Sequence, residues 1–333
     1  MEPPTISISA LVDAGACHEA RASALALVVE AVRTWGFFHA VDHGLPATLQ
    51  QALRRESRAF FALPAEAKRC IARSPANARG FADDELTKQK TDAKQLWDVG
   101  HRPFPLLADD DAANLVLDGH NQWPPANLLP SFRGVVEEWY ARCAALGAAL
   151  ATALGASLGD SGAHLLRLSE PHTSFLRLNF YPTSHAAAER AAGEDILGIS
   201  RHTDAGLLTI LAQDEDANAL EVYSGTKEAA GDGAWVPVRA VRGALTINTG
   251  DLLQVLSNGR YKAPEHRVRK SVGVPRYSEA FFFNPSYDAS ITPLPGSGAP
   301  LYRPFAWGEF RRRRFEGDVA DKGAEAQIED YLI

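Results

Sequence analysis

Two histidines and one aspartate carry the sharpest chemical signal in this sequence. His202-Thr203-Asp204 sets an imidazole and a carboxylate two positions apart, and His266 follows 62 positions after the aspartate (266 − 204). Along an extended segment, alternation sends residues 202 and 204 to the same side. With a distant histidine, they can cap one face of an octahedral metal and leave three positions open. Neutral imidazole suits a borderline cation such as Fe(II), and one carboxylate offsets part of the metal charge. Two histidines plus a carboxylate also serve catalytic zinc, so the triad alone leaves the metal open.

Arg276-Tyr277-Ser278 narrows the choice. Residues 276 and 278 face the same way on a strand, where a guanidinium and a hydroxyl form a site for a carboxylate beyond the metal. A zinc hydrolase has no need of that anchor. A dicarboxylate that chelates iron through its keto acid end does need it, and a two-histidine, one-carboxylate face with open positions is the signature of non-haem Fe(II) oxygenases.

Other candidates have simpler readings. His39 and His43 straddle a strand-to-turn boundary and read as structural, while His101, His120, His172 and His185 fall in loops where a solvated imidazole is the default. Asn248-Thr249-Gly250-Asp251 reads as a turn between two strands. The Arg311–Arg314 run reads as a solvated or salt-bridged face, because Lys+Arg 34 against Asp+Glu 41 leaves a net charge of −7. That balance argues against a nucleic-acid partner. No stretch approaches eighteen uninterrupted apolar residues, so a membrane span is excluded. The opening MEPPTISISA lacks the basic start and apolar core of a secretory signal, and Cys17, Cys70 and Cys143 show no CxxC spacing. Both features point to a cytoplasmic protein.

The elements that must position these residues can be read coarsely. Leu25, Val28, Val29, Val32 and Trp35 recur at helical spacing, Gly36 ends that helix, and Phe37–Val41 reads as a short buried strand. Pro46 opens a second helix. Phe132, Val135, Val136, Trp139, Cys143, Leu146, Leu150 and Leu154 mark a longer one beginning near Pro130. After Gly155 short apolar runs follow at 174–181, 207–212, 219–223, 245–248, 252–256 and 279–283, separated by Gly, Pro, Asn and Asp. They read as strands of a sandwich or open barrel. Residues 305–320 read as a helix lying across that core. With 333 residues, 46% of them hydrophobic, there is ample surface to bury a core.

The whole pattern resembles the isopenicillin N synthase-like branch of the Fe(II)/2-oxoglutarate-dependent dioxygenases, over nearly the full length. The matching motifs run in order from Trp35–Gly44 (WGFFHAVDHG), through Arg79–Phe81 (RGF) and Asn121–Pro124 (NQWP), to Arg177–Pro182 (RLNFYP). They continue with His202–Thr209 (HTDAGLLT), Asn248–Asp251 (NTGD), Asn258–Arg260 (NGR), His266–Val268 (HRV) and Arg276–Ser278 (RYS). The resemblance implies an α+β chain with a mainly β core, a distorted double-stranded β-helix or jelly roll flanked by helices. It divides one catalytic unit into a mixed N-terminal region (1–155), the core (156–304) and a C-terminal segment packed on it (305–333). It further implies that His202, Asp204 and His266 ligate iron and act in catalysis, and that Arg276 and Ser278 hold the far carboxylate of 2-oxoglutarate. Asn179 and Tyr181 would hydrogen-bond at the cosubstrate end, Phe283 would line the active site, and Trp97 and Asp98 would approach substrate. One departure is Asp42, where the family usually has Asn before the His-Gly turn.

The expected reaction consumes dioxygen and 2-oxoglutarate, with ascorbate as an auxiliary reductant. It yields succinate and carbon dioxide and oxidises a C–H bond of a small organic molecule. Hydroxylation is the default outcome, with desaturation, demethylation or ring closure set by substrate pose. The alternative is an iron oxidase or cyclase of the same fold that uses no 2-oxoglutarate. A binding protein without activity would be expected to lose a ligand or the anchor, and all five residues are present. Nothing in the sequence speaks to the substrate or to oligomeric state.

Overall fold

The structure is a computed structural model and describes residues 2–74, 77–87, 90–100, 118–160, 163–183, 197–216, 218–224, 233–270, 273–318 and 326–333. Strands are numbered in chain order. The larger sheet has eight, in the spatial order β1 (Thr5–Ser7), β2 (Phe37–Val41), β12 (Leu245–Thr249), β9 (Leu208–Gln213), β14 (Arg276–Phe283), β7 (Phe175–Tyr181), β6 (Gln95–Gly100) and β3 (Gly80–Ala82). The smaller sheet has four, ordered β11 (Trp235–Pro237), β10 (Leu220–Tyr223), β13 (His266–Arg269) and β8 (Leu197–His202). Two-stranded ribbons pair β4 (Leu86–Thr87) with β5 (Lys90–Thr91), and β15 (Ser290–Ile291) with β16 (Phe305–Ala306).

Alternation along the strands of the larger sheet separates two apolar layers. Phe38, Ala40, Leu208, Ile210, Leu245, Ile247, Phe281 and Phe283 face the helices. Phe37, Leu211, Tyr181 and Ala280 face the smaller sheet, where they meet Leu220, Val222 and Val268. The two sheets therefore stack as a jelly roll, and the site lies between them.

The helices hold the larger sheet from behind. Phe132–Ser157 is the longest, and its buried stripe is Phe132, Val136, Trp139, Cys143, Leu146, Leu150 and Leu154. Gly147 in that stripe lets the sheet come close, since a Cβ there would lie 2.6 Å from the Phe283 ring. His18–Thr34 and Ala47–Phe61 complete the backing layer. Among the described residues, no helix is long and apolar enough to cross a membrane. Asp42 adopts a left-handed φ of 53°, a conformation Asn and Asp tolerate better than most residues, and accepts a hydrogen bond from Ser7 Oγ at 2.7 Å. The departure at that position is thus accommodated by the turn.

One expected strand is a helix. Residues 251–256 form the helix Asp251–Leu256, with Leu252, Leu253, Val255 and Leu256 all buried. Six residues, four of them buried and apolar, are too few to carry a period that distinguishes a helix from a buried strand.

Candidate metal centre and active-site pocket

The pairing of β8 with β13 sets His266 directly opposite His202, with ring centroids 4.3 Å apart. Asp204 follows two residues after His202. One donor atom from each of the three lies within 4.8 Å of the others. Asp204 Oδ1 is 3.7 Å from His202 Nε2 and 3.6 Å from His266 Nε2. Each ring has its other nitrogen on a backbone carbonyl two residues upstream: His202 Nδ1 on Ser200 at 2.7 Å, and His266 Nδ1 on Pro264 at 3.0 Å. A proton on Nδ1 donated to that carbonyl leaves the Nε2 lone pair for a cation, the usual support of a metal-binding imidazole.

The local electrostatics favour the binding forms. Burial, reinforced by the adjacent His266 ring, pushes His202 down to about 3. Burial alone would raise the Asp204 carboxyl, but both imidazoles and hydrogen bonds from Thr209 and Asn248 outweigh it and hold the group below its ordinary value. At neutral pH the cluster therefore presents a carboxylate and a neutral His202 imidazole. Asp204 Oδ2 accepts from Thr209 Oγ1 and from Asn248 Nδ2, which leaves Oδ1 to face the histidines.

The backbone of this segment is anchored as well. Asp251 N–H donates to the Asp204 carbonyl at 2.8 Å, and Leu252 N–H to that of Gly206 at 3.1 Å. Gly250 permits the approach, because a Cβ there would come 2.3 Å from the Gly206 oxygen. Arg314 Nη2 donates to the carbonyl of Thr203, between the two donors of the motif, at 2.9 Å. The expected simple turn at residues 248–251 is thus a strand end and helix start that clamp Asp204. Thr209, Asn248 and Arg314 went unrecognised in the sequence. The signal for Asn248 is its place two residues from Thr246, which puts both polar side chains on one face of β12 while Leu245 and Ile247 take the other.

Across the pocket, β14 and β7 pair so that Arg276 lies opposite Tyr181 and Ser278 opposite Asn179. All four are buried and line the same cavity as the triad. Arg276 Nη1 donates to Ser278 Oγ at 3.3 Å and Nη2 to Gln213 Oε1 at 3.4 Å, with the guanidinium 4.8 Å from the centre of the Tyr181 ring. Arg276 Nε and Asn179 Oδ1 are buried without a hydrogen-bond partner. Such orphaned groups cost free energy unless a ligand satisfies them.

Two expected pocket residues lie elsewhere. Phe283 faces the helices, against Gly147 and beside His172, because Arg276, Ser278, Ala280 and Phe282 take the pocket side of β14. Phe282 is the phenylalanine of β14 that lines the cavity. Trp97 is fully buried among Phe60, Trp123 and Phe132 and donates from Nε1 to the Gln122 carbonyl at 3.0 Å. Its neighbour Asp98 takes the other face of β6, lines the pocket and pairs with Arg177 at 2.8 Å.

The other histidines and the arginine run also resolve by face. His39 is buried against Thr246 Oγ1 at 3.2 Å, and His43 Nε2 meets the Gly243 carbonyl at 3.1 Å. His120 is exposed, whereas His172 stacks beside Tyr140 instead of standing free in solvent. His101 and His185 lie outside the described residues. On the helix Trp307–Asp318, Arg312 pairs with Glu316 and Arg313 reaches Tyr331, as a solvated or salt-bridged face would. Arg311 and Arg314 instead line the pocket with Trp307 and Phe315, the i, i+4, i+7, i+8 face of the helix.

Residues 3–126 match the family described as the non-haem dioxygenase in morphine synthesis N-terminal region, and residues 172–285 match the 2OG-Fe(II) oxygenase superfamily. Jasmonate-induced oxygenase 1 of Arabidopsis thaliana is 33% identical over 290 residues, covering 85% of this chain and 66% of that protein. Gibberellin 2-beta-dioxygenase 8 of the same plant is 30% identical over 334 residues, covering 100% and 87%. The crystal structure of JOX2 in complex with 2OG, Fe and JA superposes with a TM-score of 0.76 at 26% identity, covering 100% of this chain and 90% of that one. With the two-sheet fold and the His-Asp-His cluster, these matches place the chain in the 2OG-Fe(II) oxygenase superfamily, as an Fe(II)- and 2-oxoglutarate-dependent oxygenase.

Proposed function

We propose that His202, Asp204 and His266 hold one Fe(II), and that Arg276 and Ser278 grip the far carboxylate of 2-oxoglutarate, with Asn179 and Tyr181 lining that end. The observation that carries this reading is the orphaned donor Arg276 Nε, buried in the wall of the cavity that holds the triad. A dicarboxylate chelated at the triad would give the guanidinium N–H groups and the Ser278 hydroxyl an acceptor. Iron bound with 2-oxoglutarate supplies the dioxygen activation that oxidises a substrate C–H bond and leaves succinate and carbon dioxide. The chain's own part is positioning. Thr209 and Asn248 fix which Asp204 oxygen is free, the Ser200 and Pro264 carbonyls orient the rings, and the Tyr181 face and Gln213 hold the Arg276 fork in place.

The substrate is a small organic molecule, as with the JA held in the JOX2 structure. Asp98, paired with Arg177, forms part of its pocket wall. The segments 1–155, 156–304 and 305–333 act as one catalytic unit, supported by a cavity lined by Arg79, Arg177 and Arg311 together. The free thiols of Cys17, Cys70 and Cys143 suit a cytoplasmic setting. Oxygen uptake by the Fe(II)-loaded protein, with and without 2-oxoglutarate, tests the reading. Consumption that needs 2-oxoglutarate and releases succinate is expected. Uptake with no such need, driven by substrate or ascorbate alone, would replace it with the 2-oxoglutarate-independent oxidase.

A further inference from the structure

We propose that the primary substrate carries a carboxylate, or an equivalent anionic group, bound by Arg311 at the end of the pocket remote from Arg276, with an apolar body against Phe175 and Phe282. The inference deepens the reading above and rests on its assignment of the Arg276 end to 2-oxoglutarate.

The pocket has two ends because β7 runs its length. Phe175, Arg177, Asn179 and Tyr181 all face the cavity. At a rise of about 3.3 Å per residue, Phe175 lies roughly 20 Å along the strand from Tyr181. Phe282 pairs with Phe175 across the strands and stacks on it, with centroids 4.6 Å apart. Three guanidinium groups surround the Phe175 ring: Arg79 and Arg311 at 5.2 Å and Arg177 at 5.8 Å.

Two of these cations are already neutralised. Arg79 is paired with Asp118, and Arg177 binds Asp98 through two nitrogens and Glu85 through a third. Arg311 makes no hydrogen bond or ion pair among the described residues, although it lines the cavity and lies close to two like charges. The carboxylate that acts on it, Asp118, is already bound by Arg79, and burial with the Arg79 and Arg177 charges outweighs that attraction. A partly buried guanidinium short of counter-charge is costly, and a bound anion removes that cost. The planar fork suits a carboxylate in particular. The helix places Trp307 and Phe315 on the same face as Arg311, so the cation is set among apolar surface. A compact hydrophobic acid fits that combination. An uncharged molecule would leave Arg311 unsatisfied.

The test uses the Fe(II)- and 2-oxoglutarate-loaded protein under anaerobic conditions. Calorimetric titration compares 3-phenylpropionate, cyclohexylacetate and indole-3-acetate, each against its primary amide. Acids should bind roughly tenfold or more tighter than the matching amides, the scale of one charge-assisted hydrogen bond. Arg311→Gln should erase that preference and Arg311→Lys should keep part of it, with 2-oxoglutarate affinity unchanged in both as proof of an intact fold. Arg276→Gln should do the reverse. Equal binding of acids and amides, no binding by any acid of the panel, or a preference that survives Arg311→Gln would overturn the proposal. If Arg311→Gln weakens 2-oxoglutarate while Arg276→Gln does not, the assignment of the Arg276 end fails instead, and the inference with it.

Discussion

Asn248 Nδ2 donates to Asp204 Oδ2 at 2.7 Å, so one carboxylate oxygen is held by the strand β12 while Oδ1 faces both imidazoles. Thr209 Oγ1 holds the same Oδ2 from β9. A carboxylate fixed in this way keeps a single oxygen for a cation and spends no entropy in choosing between two. Partners of this kind orient a ligand and tune its affinity for the metal.

Asn248→Ala and Thr209→Val should therefore each weaken Fe(II) binding by roughly 10- to 100-fold. Anaerobic titration of the apoprotein, followed by circular dichroism to establish an unchanged fold, checks this. Wild-type affinity in both variants would mean that the hydrogen bonds do not orient the carboxylate.

Trp97 lies in the core, not in the pocket, and its truncation should act on stability. Trp97→Ala removes a fully buried indole packed on Phe60 and Phe132 and should cost about 3–5 kcal/mol. Urea denaturation measures the loss. At a temperature where the variant is still folded, its 2-oxoglutarate affinity should match wild type. A variant of full stability with impaired binding would return Trp97 to the active site.

The sequence conveyed some of this arrangement and concealed the rest, for identifiable reasons. Residues 202 and 204, and the 276/278 pair, stand out because donor groups two apart on an extended segment share a face, and His266 supplies the distant third ligand type. Phe283 was assigned to the wrong face because Phe281, Phe282 and Phe283 are all apolar and both faces of β14 are covered. No polar alternation marks the parity there. Trp97 raised the same ambiguity on a strand of similar burial. The helix Asp251–Leu256 reads as a strand because six residues, four of them apolar, are too few to show a helical period. Arg311 and Arg314 were hidden in a run of identical residues, and only the helical phase, set by packing, divides two pocket arginines from two solvent-facing ones.

Glu279 provides a pH signature unrelated to the metal. It points away from the pocket toward the helix Ala47–Phe61, and burial, followed by the nearby Asp214 carboxylate, pushes it up to about 7 against the pull of Arg54 and Arg58. A carboxyl raised in the folded state is protonated more readily there than in the unfolded chain. Its contribution is fully present below the unfolded value near 4.5 and is lost as pH rises through about 7. The loss is on the order of 3 kcal/mol between pH 4.5 and 8. Denaturation of wild type and Glu279→Gln at both ends of that window isolates it: wild type should lose more stability than the variant as pH rises. Parallel curves would refute the assignment.

The central claim is that Arg276 and Ser278 anchor 2-oxoglutarate on an iron held elsewhere in the pocket, and a calorimetric titration of 2-oxoglutarate into the anaerobic Fe(II)-loaded protein tests it most directly. Removing a charge-assisted hydrogen bond of roughly 1.5–3 kcal/mol should make Arg276→Gln about 10- to 150-fold weaker for 2-oxoglutarate. Ser278→Ala should lose only about 0.5–1.5 kcal/mol. Arg276→Lys, which keeps the charge but not the fork, should fall between them. Iron content should remain near one per chain in all three, because neither side chain belongs to the His202, Asp204 and His266 cluster. Unchanged 2-oxoglutarate affinity in Arg276→Gln, or loss of iron along with the cosubstrate, would contradict the account.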